Sequence, residues 1–193
     1  MRKMFFFVLA AATLLLIGMP QTGQAQSETP KVELGAHYTV LRLRDFDTTD
    51  SGVGGRLTFN ITDGFALEGE LNVFPEKRVN FANPFYLDSR RTQGLFGVKY
   101  GIRSEKAGIF GKLRPGFIHF GEGTADPDIL TILPIPPTAS STEFALDAGG
   151  VFELYPSRSV ALRFDVGDTI IRFGGLGFTS HNLQVGAGVA LRF

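Results

Sequence analysis

The C-terminal stretch, residues 182–193, reads N-L-Q-V-G-A-G-V-A-L-R-F and decides the fold. Its apolar side chains share one parity: Leu183, Val185, Ala187, Val189, Leu191 and Phe193. The other parity holds polar or very small residues: Asn182, Gln184, Gly186, Gly188, Ala190 and Arg192. Side chains of a strand alternate between its two faces, so the pattern predicts a strand with one apolar wall. A tilted strand of this length crosses a bilayer, and closing the sheet into a barrel would leave it no open edge.

The composition of the chain excludes several classes of protein and site. Its 193 residues carry 19 basic and 19 acidic side chains, and this neutrality argues against the basic surplus of a nucleic-acid-binding protein. Because Cys is absent, the chain has no disulfide framework, no thiolate nucleophile and no cysteine metal site. After residue 20 no apolar run is long enough for a transmembrane helix. A transmembrane barrel needs no such run, because its strands alternate apolar and polar residues. We expect no cofactor and no bound metal.

Residues 1–25 have the layout of a secretory signal peptide. Arg2 and Lys3 give a positive start, and residues 5–18 form an apolar core that is short for a membrane span. Residues 23–25, G-Q-A, place small residues where a signal peptidase requires them. We predict cleavage after Ala25 and a mature domain of residues 26–193. The alternative is a retained N-terminal anchor helix.

Seven upstream segments repeat the alternation of the C-terminal strand. The predicted strands are residues 31–43, 52–61, 65–74, 92–103, 107–120, 142–154, 159–168 and 182–193. Pro115, in the fifth strand, cannot donate a ladder hydrogen bond, so we expect a bulge or a lost pair there.

The connections between these strands alternate in length. The long ones are residues 44–51, 75–91, 121–141 and 169–181, and the short turns lie near residues 62–64, 104–106 and 155–158. Residues 170–173 are also compatible with an extension of the seventh strand. A barrel with one rim in the periplasm needs this order, and an even strand number places both termini at the short-turn rim. The predicted fold is an all-β, eight-stranded antiparallel up-and-down transmembrane β-barrel.

The polar parity of the strands predicts a charged lumen. Eight strands leave an interior that side chains just fill, and buried charges require partners. Because the two signs balance, we predict a plug of salt bridges and not a pore lined by one sign. The predicted network comprises Glu33, Arg56, Glu68, Glu70, Lys99, Arg103, Lys112, Arg114, Glu143, Asp147, Glu153, Arg163, Asp165 and Arg192.

The 19 Phe residues fit aromatic girdles at the two membrane interfaces. We expect the girdle at the short-turn rim to contain Tyr100, Phe65, Leu154 and Phe193. We expect the girdle at the other rim to contain Phe74, Phe117, Phe120 and Phe144. The alternative is core packing in a soluble barrel, with the apolar face inside and the charged face outside.

With its N-terminal signal, alternating strands, long–short connections and closing G-A-G-V-A-L-R-F, the chain resembles the OmpA-like family of small eight-stranded outer-membrane barrels of Gram-negative bacteria. The resemblance implies location in the outer membrane. It also implies that Phe193, with Leu191 and Val189, belongs to the signal read by the barrel-assembly machinery. The peptidoglycan-binding domain of OmpA has no counterpart here, so cell-wall tethering is not implied. We expect a monomer in contact with outer-membrane lipid and lipopolysaccharide.

Three function classes follow from this interpretation. The first is a non-enzymatic barrel with a structural, adhesion or narrow-pore role. The second is a lipid A-modifying enzyme, for acyl transfer or deacylation, with Ser180, His181 and Glu122 as nucleophile, base and orienting acid. Adjacent strand residues point to opposite faces, which disfavours a site shared by Ser180 and His181. The third is a soluble periplasmic lipid-binding barrel with its faces reversed.

The remaining candidate residues have simpler interpretations. We expect His37 to be a hydrogen-bond partner in the lumen, and His119 and His181 to be polar residues of the long-loop rim. The first-loop acids Asp45, Asp47 and Asp50 are expected to be solvated, with Ca²⁺ binding as the alternative. The apolar, proline-rich residues 129–137 either contact a partner or membrane or pack over the barrel mouth.

Overall fold

The computed structural model describes residues 29–45, 48–75, 90–122, 140–174 and 177–193. Within them, eight β-strands form one closed barrel in which each strand pairs antiparallel with the next and β8 pairs with β1. This confirms the predicted fold class. The strands are β1 (Val32–Leu43), β2 (Thr48–Asn60), β3 (Phe65–Phe74), β4 (Arg91–Arg103), β5 (Ala107–Phe120), β6 (Ser141–Ser157), β7 (Val160–Phe173) and β8 (Phe178–Arg192).

Three predictions concern residues that the structure does not describe. The signal peptide, residues 1–25, the first-loop acid Asp47 and the apolar segment, residues 129–137, lie outside the described residues. Among the described residues, no helix has the length and apolar character to cross a membrane.

The strands are tilted steeply around the barrel axis. Following paired residues from Arg42 through Leu183 of β8 and Asp168 of β7 around the sheet returns to β1 at Val32. The return point is ten residues below the start, and such a stagger accompanies the tilt of roughly 35–45° that closed barrels adopt. β1 begins and β8 ends at one rim, where the backbones of Phe193 and Val32 exchange hydrogen bonds of 2.8 and 3.2 Å.

Three predicted connections are shorter in the structure. β2 already begins at Thr48, so residues 48–51 are strand and not loop. β7 continues to Phe173 and β8 begins at Phe178, so most of the predicted loop 169–181 is paired sheet. At the other rim β6 runs to Ser157, past the predicted turn start. The long connections that remain, residues 75–90 and 121–140, join strand ends at the rim opposite to Val32 and Phe193.

Pro115 leaves the register unchanged but interrupts one ladder. Its pairing with Leu146 on β6 is intact. On the β4 side, pairing stops at Leu95 with Gly116 and resumes at Val98 with Leu113 in the same register. The structure therefore shows the lost-pair form of the prediction, because a residue without an N–H cannot complete the ladder.

The barrel is apolar outside and charged inside. Large apolar side chains such as Phe96, at 63% exposure, and Ile109, at 61%, point away from the lumen. Glu68, Lys99 and Asp147 point inward and are completely buried. This arrangement is opposite to that of a soluble barrel, and it matches a sheet whose outer face contacts hydrocarbon.

The aromatic girdles are only partly as predicted. Tyr100 and Phe193, at one rim, and Phe117 and Phe144, toward the other, are exposed on the outer face. Phe74 faces inward and is 1% exposed, so its assignment to a girdle was wrong. Phe120 also has inward parity and packs against the same buried cluster. Both residues belong to an apolar layer inside the barrel.

Candidate functional site in the barrel lumen

The lumen is filled by one connected network of charged side chains. Its carboxylates are Glu33, Glu68, Glu70, Asp147, Glu153 and Asp165, and its cations are Arg56, Lys99, Arg103, Lys112, Arg114, Arg163 and Arg192. Each carboxylate lies within 4.0 Å of at least two of these cations. The structure thus brings together every predicted lumen residue except Glu143.

Glu143 lies apart from this network. It sits at the end of β6 near the rim opposite to Val32 and Phe193, where its Oε2 accepts a hydrogen bond of 2.9 Å from the backbone N–H of Gly174. The carboxylate therefore stabilises the end of β7 and does not belong to the lumen charges.

Arg163 is central to the lower half of the network. Its guanidinium donates to both oxygens of Glu68 and to Asp165, with Nε and Nη2 each 3.0 Å from an oxygen of Asp165. It also reaches Glu153 Oε1 at 3.3 Å. Glu153 in turn accepts from Lys99 at 2.5 Å. Charge-assisted and bidentate contacts of this kind are the strongest hydrogen bonds in proteins.

Arg114 has the corresponding role higher in the barrel. Its Nη1 lies 2.6 Å from Glu70, and its Nε and Nη2 lie 2.9 and 2.6 Å from Asp147. Arg56 joins Glu70 to Asp165 at 2.8 and 3.1 Å, so the upper and lower parts are continuous.

The end of the lumen near Val32 and Phe193 is lined by cations stacked on an aromatic ring. The guanidinium of Arg192 lies 4.2 Å from the ring centre of Tyr155, and that of Arg103 lies 5.4 Å from it. Both cations also contact Glu33. Tyr155, predicted to lie in a turn, is a buried strand residue whose hydroxyl donates to Glu153 at 2.7 Å.

A layer of neutral polar side chains lies above the charges. Gln93 and Gln184 exchange amide hydrogen bonds of 3.1 and 3.2 Å across the lumen. Asn72 connects this layer to the charges, because its amide nitrogen donates to Gln93 and Glu70. His37 Nε2 lies 2.6 Å from Asn72 Oδ1, so this histidine is a lumen hydrogen-bond partner.

An apolar layer closes the opposite end of the lumen. Its residues are Leu41, Leu43, Phe74, Leu95, Ile118, Ala145, Ile171 and Phe173, with Phe120 packed against them. Beside it, Asp50 forms a buried ion pair with Arg91, whose guanidinium lies 5.6 Å from the ring centre of Phe120. Asp50 is therefore not a solvated loop acid. Among the described residues, no group of His, Asp and Glu side chains is placed to hold a metal ion.

A small cavity lies beside the network on the β1 and β8 side. Its volume is about 10 Å³, roughly the space of a single water. Gly35, Gly188 and Ala190 line it opposite Arg56 and Arg163. These small residues leave room for the long charged side chains of the adjacent strands, since Gly35 pairs with Arg56 of β2 and Gly188 pairs with Arg163 of β7.

Ser180 and His181 do not form a shared catalytic site. Ser180 faces inward, is 1% exposed and bonds to Asn182 at 3.1 Å. His181 faces outward and bonds to Asp168 at 2.6 Å. His119 is a rim residue that bonds to Thr142 at 2.8 Å. The arrangement of nucleophile and base required for the lipid A-modifying alternative is absent at these residues.

A closed eight-stranded barrel with an apolar outer face and a salt-bridged lumen defines the class of outer-membrane β-barrel proteins. The family model of the outer membrane protein beta-barrel domain matches residues 9–193, and the chain belongs to this family. It is a protein of the bacterial outer membrane.

Solved structures of outer-membrane barrels share the fold. Neisserial surface protein A is 13% identical with a TM-score of 0.55, over 84% of this chain and 96% of that one. Ail of Yersinia pestis is 12% identical with a TM-score of 0.53, over 84% of this chain and 96% of that one. OprG from Pseudomonas aeruginosa is 12% identical with a TM-score of 0.52, over 88% of this chain and 96% of that one. No curated protein matches the sequence.

Proposed function

We propose that the chain is a non-enzymatic structural barrel whose lumen is closed to ions and which presents its extracellular connections at the cell surface. The observation that carries this proposal is the continuous filling of the lumen by charged, amide and apolar layers. Residues 75–90 and 121–140, at the extracellular end, supply the length for a surface that adhesion would use.

Both the charges and the apolar layer oppose ion passage. An ion entering the charged region has to displace partners from carboxylates that already contact two or more cations, such as Glu68 and Asp165. Uncompensated charge in a low-dielectric interior costs several kcal/mol. The layer around Leu41, Phe74 and Ile171 presents apolar side chains to an ion, and the charged groups beside it, Asp50 and Arg91, already pair with each other. The proposed lumen is therefore a structural plug.

We expect no steady single-channel steps when the purified barrel is inserted into planar bilayers. Folded protein is verified first by its altered gel mobility in SDS before boiling, and gramicidin added to the same bilayer verifies that steps are detectable. Reproducible steps from the folded barrel would contradict a closed lumen and favour the narrow-pore role.

We also propose that the C-terminal Phe193 is recognised by the barrel-assembly machinery. The backbone of Phe193 closes the β1–β8 pairing, whereas its side chain is 69% exposed on the outer face. The ring is therefore available for recognition, and Leu191 and Val189 share its parity.

Phe193→Ala is expected to lower the amount of assembled barrel in cells several-fold, with little effect on barrel refolded from urea into vesicles. Tyr100→Ala is the matched control, because Tyr100 is 70% exposed and lies on the outer face near the same rim. Heat-dependent gel mobility of membrane fractions measures assembly. Equal losses in the two variants, or an equal loss on refolding, would indicate a role in stability alone.

A further inference from the structure

The outer face of β7, β8 and β1 changes from apolar to basic at the extracellular end. The last apolar outward residues are Ile170, Leu183 and Val40. The next outward residues toward the rim are Arg172, His181 and Arg42, and all three are exposed. Together they form a basic surface at the height where the outward side chains of these strands cease to be apolar, which is the pattern expected where hydrocarbon gives way to lipid headgroups.

The strand register places these three residues on one diagonal. Arg172 of β7 is opposite Thr179, two residues from His181 on β8. Arg42 of β1 is opposite Leu183, two residues from His181 on the other side. Diagonal neighbours in a sheet are about 7–8 Å apart, within reach of long side chains. His181 is thus flanked by two arginines that point in its own direction.

An acid next to this surface fixes the histidine. Asp168 faces outward on β7, at the level of the lipid-facing Leu183 with which it pairs. A carboxylate in that position is costly unless its oxygens are satisfied. Its Oδ2 lies 2.6 Å from His181 Nδ1, and its Oδ1 accepts the backbone N–H of Asn182 at 2.9 Å. Since a carboxylate only accepts, Nδ1 carries the proton and Nε2 is left for a group outside the barrel.

We propose that Arg42, His181 and Arg172 bind the phosphate groups of lipopolysaccharide in the outer leaflet, with Asp168 as the residue that positions His181. The charge is complementary, since two guanidinium groups face a headgroup layer that carries phosphates. Arginine suits this contact because its planar fork matches phosphate oxygens. The site is independent of whether the lumen conducts.

The test compares binding of lipid A to folded protein in detergent by native mass spectrometry. Bis-phosphorylated and enzymatically dephosphorylated lipid A are the probes, and EDTA is present so that no divalent cation bridges phosphate to an acid. The test variant is Arg42→Gln with Arg172→Gln. The matched control is Lys31→Gln with Lys106→Gln, which also removes two exposed cations but at the periplasmic rim. Gel mobility in SDS confirms that each variant is folded.

We expect the Arg42 and Arg172 double variant to bind bis-phosphorylated lipid A at least ten-fold more weakly, and the lysine variant to remain within two-fold of the native chain. Asp168→Asn is expected to weaken binding several-fold while the barrel stays folded. Equal loss in both double variants would overturn the site. Equal affinity of the native chain for dephosphorylated lipid A would overturn phosphate recognition, and equal affinity for phosphatidylglycerol would overturn the assignment to lipopolysaccharide.

Discussion

Arg163→Met is expected to lower the free energy of unfolding of the barrel by about 3–5 kcal/mol, the usual cost of removing one partner from a buried ion pair. Arg163 is 4% exposed and contacts Glu68, Asp165 and Glu153. The variant removes the cation and leaves these buried carboxylates with fewer partners. Methionine retains much of the side-chain volume, so the loss is mainly electrostatic.

Urea unfolding of the barrel in lipid vesicles measures this change. The chain has no Trp, so far-UV circular dichroism and gel mobility follow unfolding. Lys106→Met is the control, because Lys106 is an exposed residue of a periplasmic turn. An effect of Arg163→Met that is no larger than that of Lys106→Met would show that the network does not stabilise the fold.

A second substitution separates charge from packing. Glu68→Met added to Arg163→Met removes one of the carboxylates that lost its partner, while Lys99 and Arg114 keep Glu153, Glu70 and Asp147. We therefore expect the double variant to be more stable than Arg163→Met alone. If Glu68→Met instead lowers the free energy of unfolding further, so that the losses of the two substitutions add, packing and not charge is responsible for the destabilisation.

The closed barrel and its two faces could be predicted because they depend on a period of two, which a sequence displays directly. The ends of the strands could be predicted less accurately than the closed barrel and its two faces. Residues 48–51 and 169–173 continue the inward and outward alternation, but their outward side chains are polar except at Ile170. Polar residues such as Thr49 and Ser51 resemble a loop in sequence, although they are paired strand.

The content of the lumen was predictable as a set of residues but not as a set of contacts. Arg163 and Glu68 lie 95 positions apart, on β7 and β3, and they meet because the stagger of the closed sheet brings them to one level. The apolar layer was missed for a related reason. Leu41, Phe74 and Ile171 keep inward parity, but the rule of charged residues inside and apolar residues outside does not distinguish heights along the barrel.

Gly188→Ala is expected to destabilise the barrel by about 1–3 kcal/mol, whereas Gly186→Ala, two residues away on the same face, stays within about 0.5 kcal/mol of the native chain. A Cβ at Gly188 would collide with the carbonyl oxygen of Ala36 and lie 2.5 Å from His37 Cβ and 2.9 Å from His37 Cα. Those backbone atoms belong to β1, so relief requires opening the β1–β8 pairing that closes the barrel. A Cβ at Gly186 would lie 3.5 Å from Tyr38 O and 3.7 Å from Asp165 Cβ, which are ordinary contacts.

The same urea titration in vesicles measures both alanine variants, and the fraction of heat-shifted protein after refolding reports closure of the barrel. Because the two substitutions add the same methyl group to the same strand, their difference isolates the close approach of β8 to β1. If Gly188→Ala lowers the free energy of unfolding but not the yield of folded protein, the collision destabilises the barrel only after it has closed. A loss of folded yield as well would place it at the step in which the last strand pairs with the first. Equal behaviour of the two variants would contradict the close packing of Gly188 against β1.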